Sequence, residues 1–162
     1  MTSTEAVNAE LKPRPLVVFS TFTLALFGLG VSIYLTIEHF TGNQSLACPN
    51  TGAINCAKVT SSAQSHFLGI PVALLGLGFF VVAAILNSPP AWYTGSRRLH
   101  QLRFAMALSG VGFVLWLIAA ELLIIKAICL WCTSVHVITF VMALLVVNET
   151  PRILGWGQPT EA

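Results

Sequence analysis

Apolar and polar positions along the chain are sorted into long blocks rather than alternated. Four near-continuous apolar runs, Leu16–Phe40, Phe67–Leu86, Leu102–Ala127 and Cys129–Val147, are separated by polar stretches. The first run, wound as a helix, extends about 37 Å, enough to cross a hydrocarbon layer of about 30 Å. The pattern predicts an all-α integral membrane protein, a bundle of four transmembrane helices. Residues 1–15 are polar and carry two prolines, which predicts a mobile tail. Residues 41–66 form a polar loop with Asn43, Pro49 and Gly52 as turn formers. Pro71 sits where a first helical turn tolerates a missing N–H, and Asn87-Ser88-Pro89-Pro90 stops the second span. Ala91–Gln101 is expected to be a short connector, and residues 148–162 a tail.

Composition agrees with the pattern. The chain is 56% hydrophobic and 9% charged over 162 residues, well below the roughly 25% charge of soluble domains. Its net charge of +2 offers nothing for nucleic acid. The first run is too long for a cleaved signal and ends in bulky Ile33, Tyr34, Leu35 and Ile37 rather than a small-x-small site, so it is expected to stay as a helix. Lys12, Arg14, Arg97, Arg98, Arg103 and Arg152 fall on one side of a four-span arrangement, Lys58 and Lys126 on the other. By the positive-inside rule both termini are cytoplasmic and all four cysteines gather at the extracytoplasmic face of the cell (inner or plasma) membrane, where disulfide chemistry is favoured.

Cys48 and Cys56 lie in the polar loop, and Cys129-Leu130-Trp131-Cys132 opens the last apolar run. Unpaired N–H groups at a helix start favour thiolate over thiol, so a CxxC there is redox equipment. Four cysteines allow three pairings; the natural resting one joins Cys48 to Cys56 and Cys129 to Cys132. Two such pairs on one wet face suggest a relay, in which a loop thiolate attacks the helical disulfide and passes two electrons inward.

The stretch CPNTGAINCAKVTSS from Cys48 to Ser62, then Gly69-Ile70-Pro71, then the CxxC, resembles the vitamin K epoxide reductase family across the whole four-span region. The combination of C-x7-C, a serine six residues on and a CxxC opening the last helix carries the resemblance. It implies a four-helix bundle around a quinone, with a Cys-bearing loop or half-helix capping the pocket. Cys132 would face the quinone, Cys129 would be its partner and be reached by Cys56, and Cys48 would exchange with an external thioredoxin-fold protein. Ser62 would lie close to the relay cysteines and help order the loop; a hydroxyl capping the following turn is the plainer reading. His136 shares a helix face with Cys132 and stands where vertebrate members have a tyrosine. It is a candidate for hydrogen bonding a quinone carbonyl or supplying a proton.

Glu121 is an ionisable group inside the third run, a functional position by default and a candidate quinone-pocket or proton-handling residue, or else a carboxylate reaching water or Lys126. Phe67 and Trp131 suit either a quinone wall or an interfacial aromatic belt. His39 and His66 flank the loop, but C-x7-C is poor zinc spacing, and no metal is expected. Nor is there a phosphate loop, HExxH, GxSxG or a single Asp.

These readings converge on a quinone-dependent thiol–disulfide oxidoreductase. It would re-oxidise a DsbA-like thioredoxin-fold protein, supplied in trans because the chain ends about fifteen residues after its last span, and deliver electrons to menaquinone or ubiquinone. The alternatives are vitamin K quinone or epoxide reduction, and a non-catalytic membrane scaffold with structural disulfides.

Overall fold

The computed structural model describes residues 12–42, 47–48 and 51–156. Asn43 and Pro49, most of the expected N-terminal tail and residues 157–162 lie outside the described residues. Helix α1 spans Pro15–Phe40, with Pro15 in its first turn, where no N–H is needed. A short helix α2, Cys56–Thr60, is capped by Asn55, whose side chain accepts the Lys58 N–H at 2.9 Å. After a 3-10 turn at Ala63–Ser65 come two two-residue strands, β1 His66–Phe67 and β2 Ile70–Pro71. Helix α3 is Val72–Leu86, α4 is Pro89–Tyr93, α5 is Arg97–Ala119 and α6 is Leu130–Leu154.

Three of these helical stretches are long and apolar enough to cross a membrane: Pro15–Phe40, Arg97–Ile125 and Leu130–Leu154. The second apolar run, Phe67–Leu86, is only partly helical. Its first residues pair as an antiparallel hairpin, His66 opposite Pro71 and Phe67 opposite Ile70. Leu68 (φ 52°) and Gly69 (φ 82°) both take left-handed backbone in the turn, the geometry two-residue hairpins prefer. Pro71, lacking an N–H, then starts α3, whose 15 residues reach only about 22 Å.

The other boundaries shift because an apolar run marks the buried stretch of a helix, not its ends. The expected connector is instead α4, a turn and the start of α5, so Arg97, Arg98 and His100 are helical. α5 passes into a π-helical turn, Ala120–Ile125, closed by Lys126 in the left-handed conformation (φ 53°). α6 continues through Pro151 to Leu154 and ends at Gly155 (φ 68°), with the Trp156 N–H donating to Pro151 O at 3.0 Å. The tail residues next to α1 are held too: Lys12 O accepts from Arg152, and the Arg14 N–H donates to buried Glu149 at 2.8 Å.

α1 packs on α3 and α6, and α5 on α6. The buried seams are small and polar. On α1 they run Thr21, Ala25, Gly28, Ser32 and Leu35, on α5 His100, Arg103, Ala107, Gly110 and Val114, at helical spacings of three and four. Large apolar side chains such as Phe19, Phe27, Leu115 and Leu144 face outward. That inversion of a soluble core is what lipid demands, since apolar burial between helices gains nothing there and close packing decides. A Cβ on Gly28 would lie 2.1 Å from the Phe80 ring, so glycine lets α1 and α3 meet.

Candidate functional site

The cysteine end is assembled by backbone before any side chain acts. The Ile128 N–H, next to Cys129, donates to Ala53 O at 2.8 Å, and the Asn55 N–H, next to Cys56, donates to Ile128 O at 3.0 Å. This parallel bridge of Ile54 with Ile128 sets Cys56 beside Cys129. A second device holds Cys48: the Ala47 N–H donates to Tyr34 Oη at 2.9 Å, and Ala47 O accepts the Trp131 indole N–H at 2.9 Å. The Tyr34 and Trp131 rings lie against each other, centroids 4.8 Å apart. All four cysteines consequently share one apolar cluster with Val59, Ile125, Ala127 and Trp131.

Within that cluster Cys48 and Cys56 are joined, Cα atoms 6.1 Å apart, while Cys129 and Cys132 are free thiols. Of the two bonds in the expected resting pairing, then, this structure closes one. Exposure grades along the series. Cys48 is half-buried at the outer surface, Cys56 and Cys129 are 1% and 0% exposed, and Cys132 is half-buried where it lines an internal cavity.

Cys129 is the N-cap of α6, and its Sγ accepts the Cys132 backbone N–H at 3.3 Å. Its thiol, just ahead of the membrane-spanning helix, is held below the ordinary range, first by a side-chain hydrogen bond with Cys132 and then by backbone N–H groups, against burial and the nearby Glu121 charge. The helix start thus favours the thiolate at Cys129 in particular.

The cavity, about 430 Å³, lies between α1, α3, α5 and α6. Its walls are mainly aromatic and aliphatic, with Phe67, Phe79, Phe80 and Phe113, and its few polar groups include His39, Ser62, Glu121, Cys132 and His136. His136 is 4% exposed, and no described residue hydrogen-bonds its ring. A largely apolar chamber with a handful of polar groups suits a flat, mostly apolar ligand with polar edges, and a quinone fits that description.

The structure brings Cys132, His136, Glu121, Phe67 and Ser62 to this cavity. Phe67 stacks edge-on with Phe113 and Trp116. The Ser62 hydroxyl donates back to Val59 O at 2.8 Å and does not cap the 3-10 turn after it. Trp131 is the exception to the expected quinone wall: it is outside the cavity lining and holds the loop at Ala47 instead, because its helical position turns it away from His136 and Cys132. Lys126 is exposed and makes no ion pair with Glu121. His39 and His66 rings are 5.2 Å apart, but no three metal-ligating side chains converge among the described residues. Tyr34 and the Ile54–Ile128 bridge escaped the sequence reading, since nothing in an apolar run signals which residue reaches the loop.

Apolar helices enclosing one cavity, with a loop disulfide packed on a helical dithiol, define a membrane protein of redox type. Residues 20–147 match the vitamin K epoxide reductase family, and the chain belongs to that family. Its members are oxidoreductases that in general use quinones and thioredoxin-like partners.

Proposed function

We propose that the protein is a quinone-dependent thiol–disulfide oxidoreductase that re-oxidises a DsbA-like thioredoxin-fold protein. The observation that carries the reading is the order of the cysteines, from half-exposed Cys48 through buried Cys56 and Cys129 to Cys132 on the cavity wall. A thiolate of the reduced partner attacks Cys48 and displaces Cys56, and the partner's second thiol then displaces Cys48, leaving the partner oxidised and the loop pair reduced. The Cys56 thiolate attacks Cys129 of the oxidised helical pair and displaces Cys132, and Cys48 displaces Cys129, which restores the loop disulfide and leaves the helical pair as the dithiol. Electron pairs thereby move inward and disulfides outward. The membrane quinone, menaquinone or ubiquinone, is the two-electron acceptor. Phe67 and its neighbours exclude water, His136 offers a ring nitrogen to a carbonyl, and Ser62 steadies the turn above.

In this reading all four apolar segments cross the membrane, with the hairpin at 66–71 completing the span that α3 alone is too short to make. The basic end of the bundle, with Lys12, Arg14, Arg97 and Arg152, faces the cytoplasm, and the cysteines face the opposite side.

The test is quinone reduction by purified protein supplied with reduced thioredoxin-fold oxidase. Each of Cys48→Ala, Cys56→Ala, Cys129→Ala and Cys132→Ala should lose activity at least about 100-fold. With dithiothreitol, a small reductant able to reach the inner pair directly, Cys48→Ala should keep quinone reduction while Cys132→Ala should not. Equal activity of parent and Cys132→Ala would contradict the proposal.

A further inference from the structure

One buried group at the site has no part in the relay just described. Glu121 is 6% exposed and belongs to the π-helical turn that interrupts the end of α5. Such turns re-aim side chains and recur at functional sites. Its carboxyl group lies beside the Cys129 backbone N–H, and it lines the same cavity as Cys132 and His136. No basic residue forms an ion pair with it among the described residues. A carboxyl group buried at membrane depth without a cation is costly to retain.

We infer that Glu121 is the proton carrier between the Cys129–Cys132 dithiol and the acceptor in the cavity, an assignment that rests on the quinone-reducing function proposed above. When the dithiol closes, two S–H bonds break and one S–S bond forms, releasing two electrons and two protons. The acceptor takes both electrons and both protons. Glu121 takes one proton from a thiol and passes it to an acceptor oxygen, ending in the state in which it began. Cys129 and Cys132 at the start of α6 interact with it electrostatically, and the other titratable groups on the cavity wall are His136, one turn on, and His39 from α1. His136 is placed to carry the second proton.

The experiment isolates the inner pair. In the full chain carrying Cys48→Ala and Cys56→Ala, the reduced protein is mixed with a short-chain benzoquinone, and closure of Cys129–Cys132 is followed by mass. This single turnover needs neither the loop relay nor a partner, so failure of the relay and failure of this assignment are separable. Glu121→Gln, nearly isosteric, should slow closure on the order of 100-fold, with Glu121→Asp recovering most of the rate. Alkylation of Cys129, read in the same reduced protein without quinone, should shift its midpoint to lower pH in Glu121→Gln, because a neighbouring negative charge is removed. A glutamate acting only as a neighbouring charge would move that midpoint without slowing closure, so slowed closure together with its recovery in Glu121→Asp is what marks the proton carrier. Closure within about threefold of the parent rate, or an unmoved midpoint, would overturn the inference.

Discussion

At Cys129 the chemistry turns on which group donates to its sulfur. The side-chain hydrogen bond with Cys132 is the largest influence lowering its proton affinity, and the Cys132 backbone N–H adds to it. A lowered thiol pKa means more thiolate at a given pH. In the reduced protein, alkylation of Cys129 should therefore begin below the ordinary thiol range near pH 8.5, and Cys132→Ala, which deletes the side-chain donor, should move the midpoint upward. An unchanged midpoint would place the control elsewhere. Trp131 acts on the other pair. Trp131→Phe keeps the ring against Tyr34 but loses the bond to Ala47 O, worth about 1 kcal/mol. Partner oxidation should fall roughly fivefold, with direct quinone reduction by dithiothreitol unaffected. The CxxC motif announces its cysteines in the sequence, but not that the tryptophan inside it faces the loop. That role depends on the Ala47 backbone, which has no signature in a chain of letters.

At the scale of elements, hydrophobic blocks locate membrane-depth segments well and helix ends poorly. Leu16–Phe40 and the helix Pro15–Phe40 nearly coincide because prolines and a polar turn flank both. The second run hides a hairpin, since Phe67, Leu68 and Ile70 are as apolar in two short strands as in a helix; only Gly69 and Pro71 hint at the change. The third run hides the π turn that aims Glu121, as periodicity cannot distinguish one extra residue per turn near a helix end. Small residues on the seams are more legible, because lipid-embedded helices need them to approach. Gly28→Ala tests this directly. Phe80, 1% exposed, has no room to swing away from a new Cβ, so the substitution should cost about 1–3 kcal/mol, read as a lower midpoint of thermal unfolding in detergent. A neutral result would show that α1 and α3 are less tightly packed than described.

Across the whole molecule, the two ends of the bundle are held by different means. The cysteine end is tied by a disulfide and short backbone bridges, the basic end by charged groups. There Glu149, 2% exposed, bonds the Arg14 N–H and the Arg152 guanidinium, while Arg103, fully buried, donates twice to Leu86 O and stacks on Trp92. Glu149→Ala leaves these donors without their acceptor and should destabilise the fold by about 2 kcal/mol, while alkylation of Cys129 keeps its pH midpoint, because the site is at the opposite end. A shifted midpoint would mean that the two ends are coupled. The distribution of arginine and lysine makes this polarity readable in advance; the buried partners that anchor the basic end do not show in a charge count.

The proposed relay requires the loop pair and the helical pair to exchange electrons with each other. In Cys132→Ser the sulfur that would resolve a bond to Cys129 is gone, so a disulfide between Cys56 and Cys129 should accumulate. Expressed with extracytoplasmic oxidation intact and mapped by mass spectrometry after non-reducing digestion, that variant should yield the Cys56–Cys129 cross-linked peptide as its main disulfide. Cys48 still bonded to Cys56, with Cys129 free even after reduced thioredoxin-fold protein is supplied, would contradict the relay.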